Sequence, residues 1–152
     1  MKNSALCHGS VILLGCDGII IQGNSGSGKS RLAHQLVQEW KNRGLFSSWV
    51  GDDQIILQPH KNGIIAQPPE ATKGLAERRF SGIQNVTFED SAQLSLIVKL
   101  IEQTELERMP EQANTAILKG TLKLPTINAP KNNIQLACEI VTSYLETHSS
   151  NK

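Results

Sequence analysis

Residues 18–40 read GIIIQGNSGSGKSRLAHQLVQEW, and this stretch decides the fold. Its isoleucines predict a buried strand that ends near Ile21. From Ser30 onward, apolar residues recur at the spacing of one helical face as far as Trp40. Residues 23–30, between the strand and the helix, satisfy the pattern G-x-x-x-x-G-K-[ST]. A strand, a glycine-rich loop and a helix in this order predict an α/β fold of the P-loop type.

The glycine-rich loop predicts binding of the phosphate groups of ATP. Its backbone N–H groups would converge on phosphate oxygens, and the positive end of the helix dipole would reinforce them. The Lys29 ammonium would neutralise charge on the β- and γ-phosphates, and the Ser30 hydroxyl would contact Mg²⁺. The alternative is a Gly/Ser-rich turn that binds nothing, which average residue usage makes a rare coincidence. The predicted nucleotide-binding residues are Gly23, Asn24, Ser25, Gly26, Ser27, Gly28, Lys29 and Ser30.

The other elements are predicted from turn signals and periodicity. The pairs Asp17-Gly18 and Asn62-Gly63 each predict a hairpin between two extended runs, and an apolar face after Pro130 predicts a second helix. Residues 73–86 show no clear periodicity, and the charged residues 102–112 are expected to form a loop. The predicted strands are residues 10–14, 19–21, 45–50, 54–57, 64–67, 94–100 and 122–127, the last weakened by Pro125. These elements predict a central mixed β-sheet with hairpins and flanking helices in one domain, residues 1–152.

Composition excludes several classes of protein. The chain has 152 residues, 39% hydrophobic and 19% charged, which is typical of a globular domain. A net charge of +1 and an aromatic content of 4% argue against a nucleic-acid partner. The apolar residues 11–21 are interrupted by Gly15 and Asp17 and are too short to span a membrane. Three cysteines, an odd number, favour reduced thiols and a cytoplasmic location.

Two adjacent carboxylates, Asp52 and Asp53, follow the extended run 45–50. Nucleotide-dependent enzymes place acidic groups after such strands to hold Mg²⁺, directly or through water. Neighbouring side chains of a strand point to opposite sides, so only one would face the site unless the strand has already ended. In a kinase that acts on a hydroxyl group, one carboxylate would accept the proton. The alternative is a solvated turn that closes the strand.

Four ordered motifs resemble the C-terminal catalytic domain of bacterial HPr kinase/phosphorylase. They are the His-Gly start at His8-Gly9-Ser10, the phosphate-binding loop, Val50-Gly51-Asp52-Asp53, and Glu77-Arg78-Arg79-Phe80-Ser81-Gly82-Ile83, which is similar to the signature E-x-R-G-x-G-[ILV]. The resemblance covers nearly the whole chain. It implies a P-loop kinase whose nucleotide core is similar to that of phosphoenolpyruvate carboxykinases.

The resemblance also implies roles for individual residues. Asp53 would be the proton acceptor during phosphorylation, with Asp52 beside it in the magnesium network. Glu77 would be a metal ligand together with Ser30, and His8 would lie near the phosphates. Arg108, in the segment Leu106-Glu107-Arg108-Met109, would stabilise charge on the transferring phosphoryl group. Without the resemblance, His8 would be a structural histidine, Glu77 part of a solvated turn and Arg108 a linker residue.

The implied activity is that of a Mg-ATP-dependent serine kinase for HPr or a nitrogen-branch relative. The family forms hexamers, which implies a homo-oligomer, although this chain stops soon after its last predicted helix. A kinase of a small molecule and a non-catalytic nucleotide sensor are the alternatives. ATP turnover with and without the carrier protein separates the two kinases, whereas a sensor would bind nucleotide without transfer.

The sequence departs from the family at three points. Only seven residues precede His8, which resembles the short form of the family that lacks the N-terminal domain. Phe80 replaces a glycine of the signature, so we expect a backbone with less freedom there. The family's late segment Pro-Val-Arg-Pro-Gly-Arg-Asn is found here as residues 128–133, NAPKNN, without either arginine. Because guanidinium groups hold phosphate bidentately, their loss predicts weak or absent phosphorylase activity.

Overall fold

The computed structural model describes residues 4–61, 63–78, 80–118 and 123–148. Within these ranges the chain forms eleven strands and two α-helices, besides two short 3₁₀ turns. The strands are β1 Ala5–His8, β2 Ser10–Leu14, β3 Asp17–Gln22, β4 Ser47–Gly51, β5 Gln54–His60, β6 Gly63–Gln67, β7 Leu75–Arg78, β8 Gly82–Asn85, β9 Ala92–Ile101, β10 Ala113–Thr115 and β11 Leu124–Pro130. The helices are α1 Lys29–Asn42 and α2 Ile134–His148.

Nine strands form one mixed sheet, and β7 and β8 form a separate two-stranded ribbon. The order of the main path is β1-β5-β6-β9-β3-β2-β4, and β11 pairs with both β9 and β10. Strands β3, β9 and β11 are parallel, whereas β2 is antiparallel to β3 and β4. The carboxyl ends of β3, β4, β9 and β11 and the amino end of β2 therefore meet at one edge of the sheet. We call this edge the loop edge, because the glycine-rich loop leaves β3 there.

The sheet is buried on both faces, because successive side chains of a strand point in opposite directions. In β3, Ile19 and Ile21 belong to the hydrophobic cluster that includes the apolar face of α1 and most of the buried side chains of α2. Ile20, between them, belongs to a second cluster with β5 and β6. Both helices thus cover the same face. Among the described residues, no helix is long and apolar enough to cross a membrane.

The structure confirms a mixed α/β fold with a central sheet, as predicted. Both hairpins are present, as β2–β3 and β5–β6. The five apolar residues that predicted α1 are all buried, and Gly44 follows the helix, as expected. The first turn differs from the prediction, since Leu14 pairs with Asp17 and the chain reverses at Gly15 and Cys16. Asn62, predicted in the second turn, lies outside the described residues.

Residues 73–86 contain an unpredicted element, the hairpin of β7 and β8. Each strand has four residues, and β8 is exposed throughout, so alternation of apolar and polar residues has little length to develop. The loop predicted at residues 102–112 contains only a single 3₁₀ turn, Gln103–Glu105. Strand β11 extends further than predicted, to Pro130, and Pro125 is its second residue. The predicted start of that strand, at residue 122, is outside the described part of the chain.

Candidate active site

The glycine-rich loop connects β3 to α1 at the loop edge. Gly26 and Gly28 have φ angles of 81° and 100°, a region that glycine enters without steric cost. The N–H of Ser27 donates to the carbonyl of Asn24 (3.0 Å), which closes a tight turn. Residues 23–26 are exposed, so their backbone faces solvent where α1 begins. Exposed backbone at the start of a helix is the setting in which anions bind in many proteins.

The side chain of Lys29 folds back over this loop. Its Nζ donates to the carbonyls of Gly23 (3.0 Å) and Asn24 (3.1 Å). The ammonium group therefore lies above the exposed backbone, where a bound phosphate would be attracted to it.

The turn after β11 packs against the loop from the other side. The N–H of Asn132 donates to the carbonyl of Ser27 (3.2 Å), and Asn132 has a φ of 59°. Lys131 forms an ion pair with Glu102 (2.6 Å), which joins the ends of β9 and β11. Ser27 is 3% exposed, and its hydroxyl has no hydrogen-bond partner among the described residues. The loop is thus held by backbone contacts rather than by the hydroxyl of Ser27.

Asp52 is the centre of the hydrogen-bond network at the site. It is 8% exposed, and its carboxylate accepts hydrogen bonds from Ser10 Oγ (2.6 Å) and Ser30 Oγ (2.9 and 3.0 Å). The backbone N–H of Glu77 donates to Oδ2 of the same carboxylate (2.9 Å). Three donors on a buried carboxylate fix its orientation toward the first residues of α1.

Asp53 is exposed, whereas its neighbour Asp52 is buried. Its side chain is 81% exposed, its φ is 71°, and its carbonyl accepts a hydrogen bond from the N–H of Gly9 (3.0 Å). The His8 ring lies nearby, with Nδ1 3.9 Å from Oδ1. Because β4 ends at Gly51, the two aspartates are released from strand alternation, which the sequence left open.

His34 lies one helical turn after Ser30 and was not predicted from the sequence. Its ring meets Trp49 edge to face, with centroids 4.7 Å apart. Burial, and then the charge of Arg78, lower the pKa of His34, although Asp52 and the backbone of Glu77 act in the opposite direction. The Nε2 atom has no hydrogen-bond partner within the described ranges. The His34 ring, which belongs to α1, is therefore neutral and packs against β4 and β7.

Two predicted site residues are less closely connected. The side chain of Glu77 is exposed, and only its backbone reaches Asp52. Arg108 is exposed in the segment after β9, and no hydrogen bond or ion pair joins it to another site residue among the described residues. Arg79, in the predicted signature, lies outside those ranges. The structure thus brings together Ser30, Asp52 and the Glu77 backbone, with His8 beside Asp53.

Phe80 has an unusual backbone conformation. Its φ of 66° is in the left-handed region that glycine favours. For an L-residue this conformation has a steric cost of about 1–2 kcal/mol.

The donor set is compatible with a hard divalent cation. Mg²⁺ in proteins is held by one or two carboxylates and a hydroxyl, with phosphate and water as its other ligands. Ser30 Oγ and both Asp52 oxygens already lie within 3.0 Å of each other. Within the described chain, no group of three His, Cys, Asp or Glu side chains could hold a metal alone.

Sequence reasoning gave no role to Ser10 or to Asn132. Ser10 is fully buried, and it was quoted only as the residue after the His-Gly pair. Its bond to Asp52 spans 42 positions of the sequence, so no local pattern could reveal it. Asn132 contacts the loop through its backbone, which carries no sequence signal.

Comparisons with known proteins agree with this architecture. A family model described as HPr Serine kinase C-terminal domain matches residues 1–151. An HPr kinase/phosphorylase of Prosthecochloris aestuarii is 30% identical over 94% of this chain and 44% of its own length. One of Mycoplasma mycoides is 33% identical over 64% of this chain and 32% of its own length. The chain thus spans less than half the length of these curated relatives.

A solved structure supports the fold independently. The Hpr(Ser) kinase/phosphatase from Coxiella burnetii superimposes with a TM-score of 0.77 at 20% sequence identity. The match covers 95% of this chain and 90% of that chain. At this identity the similarity concerns the arrangement of the backbone alone.

Proposed function

Because this chain belongs to the HPr serine kinase C-terminal domain family, we propose that it transfers the γ-phosphoryl group of ATP to a serine of a small phosphocarrier protein. The carrier would be HPr or a nitrogen-branch relative. The observation that supports this most directly is the contact between Ser30, at the start of α1, and the buried Asp52, with the exposed Asp53 beside it. In this arrangement the loop would bind phosphate, Ser30 and Asp52 would hold the metal ion, and Asp53 would act as the base.

The loop and Lys29 would bind the triphosphate. Backbone N–H groups of residues 23–28 and the amino end of α1 offer positive potential to anionic oxygens. The Lys29 ammonium can exchange its two carbonyl partners for phosphate oxygens, which form stronger, charge-assisted hydrogen bonds. Ser30 and Asp52, with Glu77 adjacent, are the residues that would hold Mg²⁺. When bound, Mg²⁺ would neutralise charge on the phosphates.

Asp53 would accept the proton of the substrate serine. The serine oxygen forms a bond to the γ-phosphorus, the bond to the bridging oxygen of ADP breaks, and the proton moves to the Asp53 carboxylate. The exposure of Asp53 leaves it accessible to a hydroxyl presented by another protein. His8, 3.9 Å away, would help to orient that carboxylate. Arg108, in its exposed segment, would stabilise charge on the phosphoryl group.

The experiment is incubation with labelled ATP, Mg²⁺ and purified HPr or its nitrogen-branch relative. Lys29→Ala should reduce transfer at least 100-fold and weaken ATP binding, because it removes the cation above the loop. Asp53→Asn should lower kcat by about 10²–10⁴-fold with ATP binding retained. Lys41→Ala, an exposed lysine at the other end of α1, is the matched control and should have no effect.

The outcome separates the alternatives. Turnover of ATP that is independent of any carrier would indicate a kinase of a small molecule. Nucleotide binding without transfer at saturating Mg²⁺ would indicate a sensor. Undiminished ATP binding by Lys29→Ala would contradict the role of the loop.

The reverse reaction is expected to be weak. Of residues 128–133, only Lys131 carries a positive charge, and it is paired with Glu102. Neither guanidinium of the family segment is present to hold inorganic phosphate. Rapid release of pyrophosphate from phosphorylated HPr and phosphate would contradict this proposal.

We place this reaction in the cytoplasm, where free thiols remain reduced. The three cysteines are all free, in keeping with that location. Neither a nucleic acid nor a membrane is a proposed partner, since the net charge of +1 provides little attraction for polyanions. Family membership favours a homo-oligomer.

A further inference from the structure

The β7–β8 hairpin presents apolar side chains to solvent. Phe80, in its turn, is 95% exposed, and Ile83, in β8, is 71% exposed. Both residues belong to one short two-stranded ribbon, and a contiguous apolar patch on a protein surface is often functional. We call Phe80 and Ile83 the hairpin patch.

The hairpin patch is continuous with the candidate active site. Ile83 pairs directly with Glu77, so the two side chains share a face of the ribbon. The N–H of Glu77 donates to Asp52 (2.9 Å), which fixes the base of the hairpin to the centre of the site. The buried Ala76 lies on the opposite face, toward the core. The exposed face therefore extends from the site into solvent.

The backbone gives a second reason to assign a function to Phe80. Its φ of 66° lies in a region that bulky residues rarely adopt and that Gly or Asn would occupy more easily. A ring that is 95% exposed contributes little to the core. Backbone strain at an exposed position is found most often at functional sites.

The size of the hairpin patch favours a transient partner. Two side chains offer at most about 300–400 Å², whereas a stable interface needs about 800 Å² from each partner. A second copy of this chain could not be held by this surface alone. A protein substrate that must leave after each turnover is suited to a small contact area.

We propose that the hairpin patch is the contact surface for the phosphoacceptor protein. It would pack against an apolar area beside the target serine and hold the hydroxyl group near Asp53. This inference rests on the proposed kinase function, and it assigns a part of the molecule to recognition of that substrate.

The test compares wild-type protein with Phe80→Asn and Ile83→Thr. Asparagine tolerates the left-handed backbone, and threonine suits a strand, so both variants should fold. We expect the KM for purified HPr to rise about tenfold or more in each, because an apolar contact is lost. The kcat and the KM for ATP should stay within about twofold. Phe80→Leu, which keeps an apolar side chain, should retain most of the affinity.

Phe46→Ser is the matched control. The Phe46 ring is 54% exposed, and its carbonyl accepts a hydrogen bond from Gly15 at the end of the sheet opposite to the loop edge. The KM of the Phe46→Ser variant for HPr should equal that of wild type. Direct binding of fluorescently labelled HPr, measured by anisotropy without ATP, gives a second readout that does not depend on turnover.

The results separate this inference from the kinase proposal. If wild type phosphorylates HPr and the hairpin variants match it in KM and Kd, the contact surface is wrong and the kinase stands. If wild type binds HPr through the hairpin without transfer, the kinase is wrong and the contact surface stands. If wild type neither binds nor phosphorylates HPr, both are wrong. A variant that dissociates an oligomer in sedimentation assigns the patch to a second copy and overturns the inference.

Discussion

Asp52 and Asp53 show how adjacent identical residues acquire different chemistry. Asp52 is buried and accepts three donors, so its orientation is fixed. Asp53 is 81% exposed and close to His8, so it is available to a substrate. The difference comes from the end of β4 at Gly51, after which the chain turns.

Ser10→Ala tests the support of Asp52. The substitution removes a donor from a buried carboxylate and should lower the free energy of unfolding by about 1–3 kcal/mol. It should also reduce phosphoryl transfer, since the carboxylate is less well oriented toward Ser30. Urea denaturation and the labelled-ATP assay measure the two effects.

The control for that substitution is Ser47→Ala. Ser47 is also buried, and its hydroxyl donates to the Val37 carbonyl (2.8 Å), away from the site. It should lose a similar stability and keep its transfer rate. Equal transfer rates in the two variants would show that Ser10 is only structural.

His34 should make stability dependent on pH. Burial and Arg78 lower its pKa in the folded state, against the ordinary value of 6.5 in the unfolded chain, although Asp52 and the Glu77 backbone oppose this. The unfolded state therefore binds more protons, and stability falls as pH decreases through about 6.5. His34→Gln should flatten this slope in urea unfolding between pH 5 and 8. His60→Gln, at an exposed residue, is the control for the substitution itself.

At the scale of elements, the contact between β3 and β9 depends on Gly18. A Cβ atom at this position would overlap the backbone carbonyl of Gln93, which cannot move without breaking the sheet. This close approach explains why β3 has a glycine at position 18. The pair Asp17-Gly18, which suggested a turn, lies inside the strand.

Gly18→Ala should therefore lower the free energy of unfolding by about 1–3 kcal/mol, as overpacking does. Gly15→Asn is the control. Gly15 has a φ of 65° with open space around it, and asparagine tolerates that conformation. In thermal denaturation, Gly15→Asn should lose much less stability than Gly18→Ala. A smaller effect at Gly18 than at Gly15 would contradict the steric argument.

Elements differed in how well the sequence predicted them. Helix α1 was predicted from its apolar face, because one buried stripe on a long element gives a clear period. The β7–β8 hairpin was missed, since each of its strands has only four residues and β8 is exposed throughout. The hairpin nevertheless supplies the Glu77 N–H to the site, so a weak local signal concealed a functional element.

At the scale of the whole molecule, the reactivity of each cysteine thiol indicates how well the part of the fold around it is packed. Burial, and then the charges of Glu39 and Glu139, raise the pKa of Cys138 to about 12, and burial raises that of Cys7 to about 11. Cys16 is exposed in the β2–β3 turn. Because the thiolate is the reactive form, the native protein at pH 8 should show one fast thiol toward Ellman's reagent.

Cys16→Ser should remove that fast phase, and Cys138 should react only on unfolding, since it is 3% exposed on the buried face of α2. The rate of the slow phase should follow the unfolding equilibrium as urea is added. A fast reaction of Cys138 in the native protein would mean that α2 opens independently of the sheet.

The sequence by itself determined the glycine-rich loop, its flanking strand and helix, and the class of fold. These features depend on local periodicity and on residues within one short segment. Only the tertiary structure decided which aspartate is buried, that Ser10 supports it, and that the β7–β8 hairpin reaches the same edge. Each of these depends on contacts between distant parts of the chain, and the direction of a side chain at a strand end is set by the pairing and packing of the whole sheet.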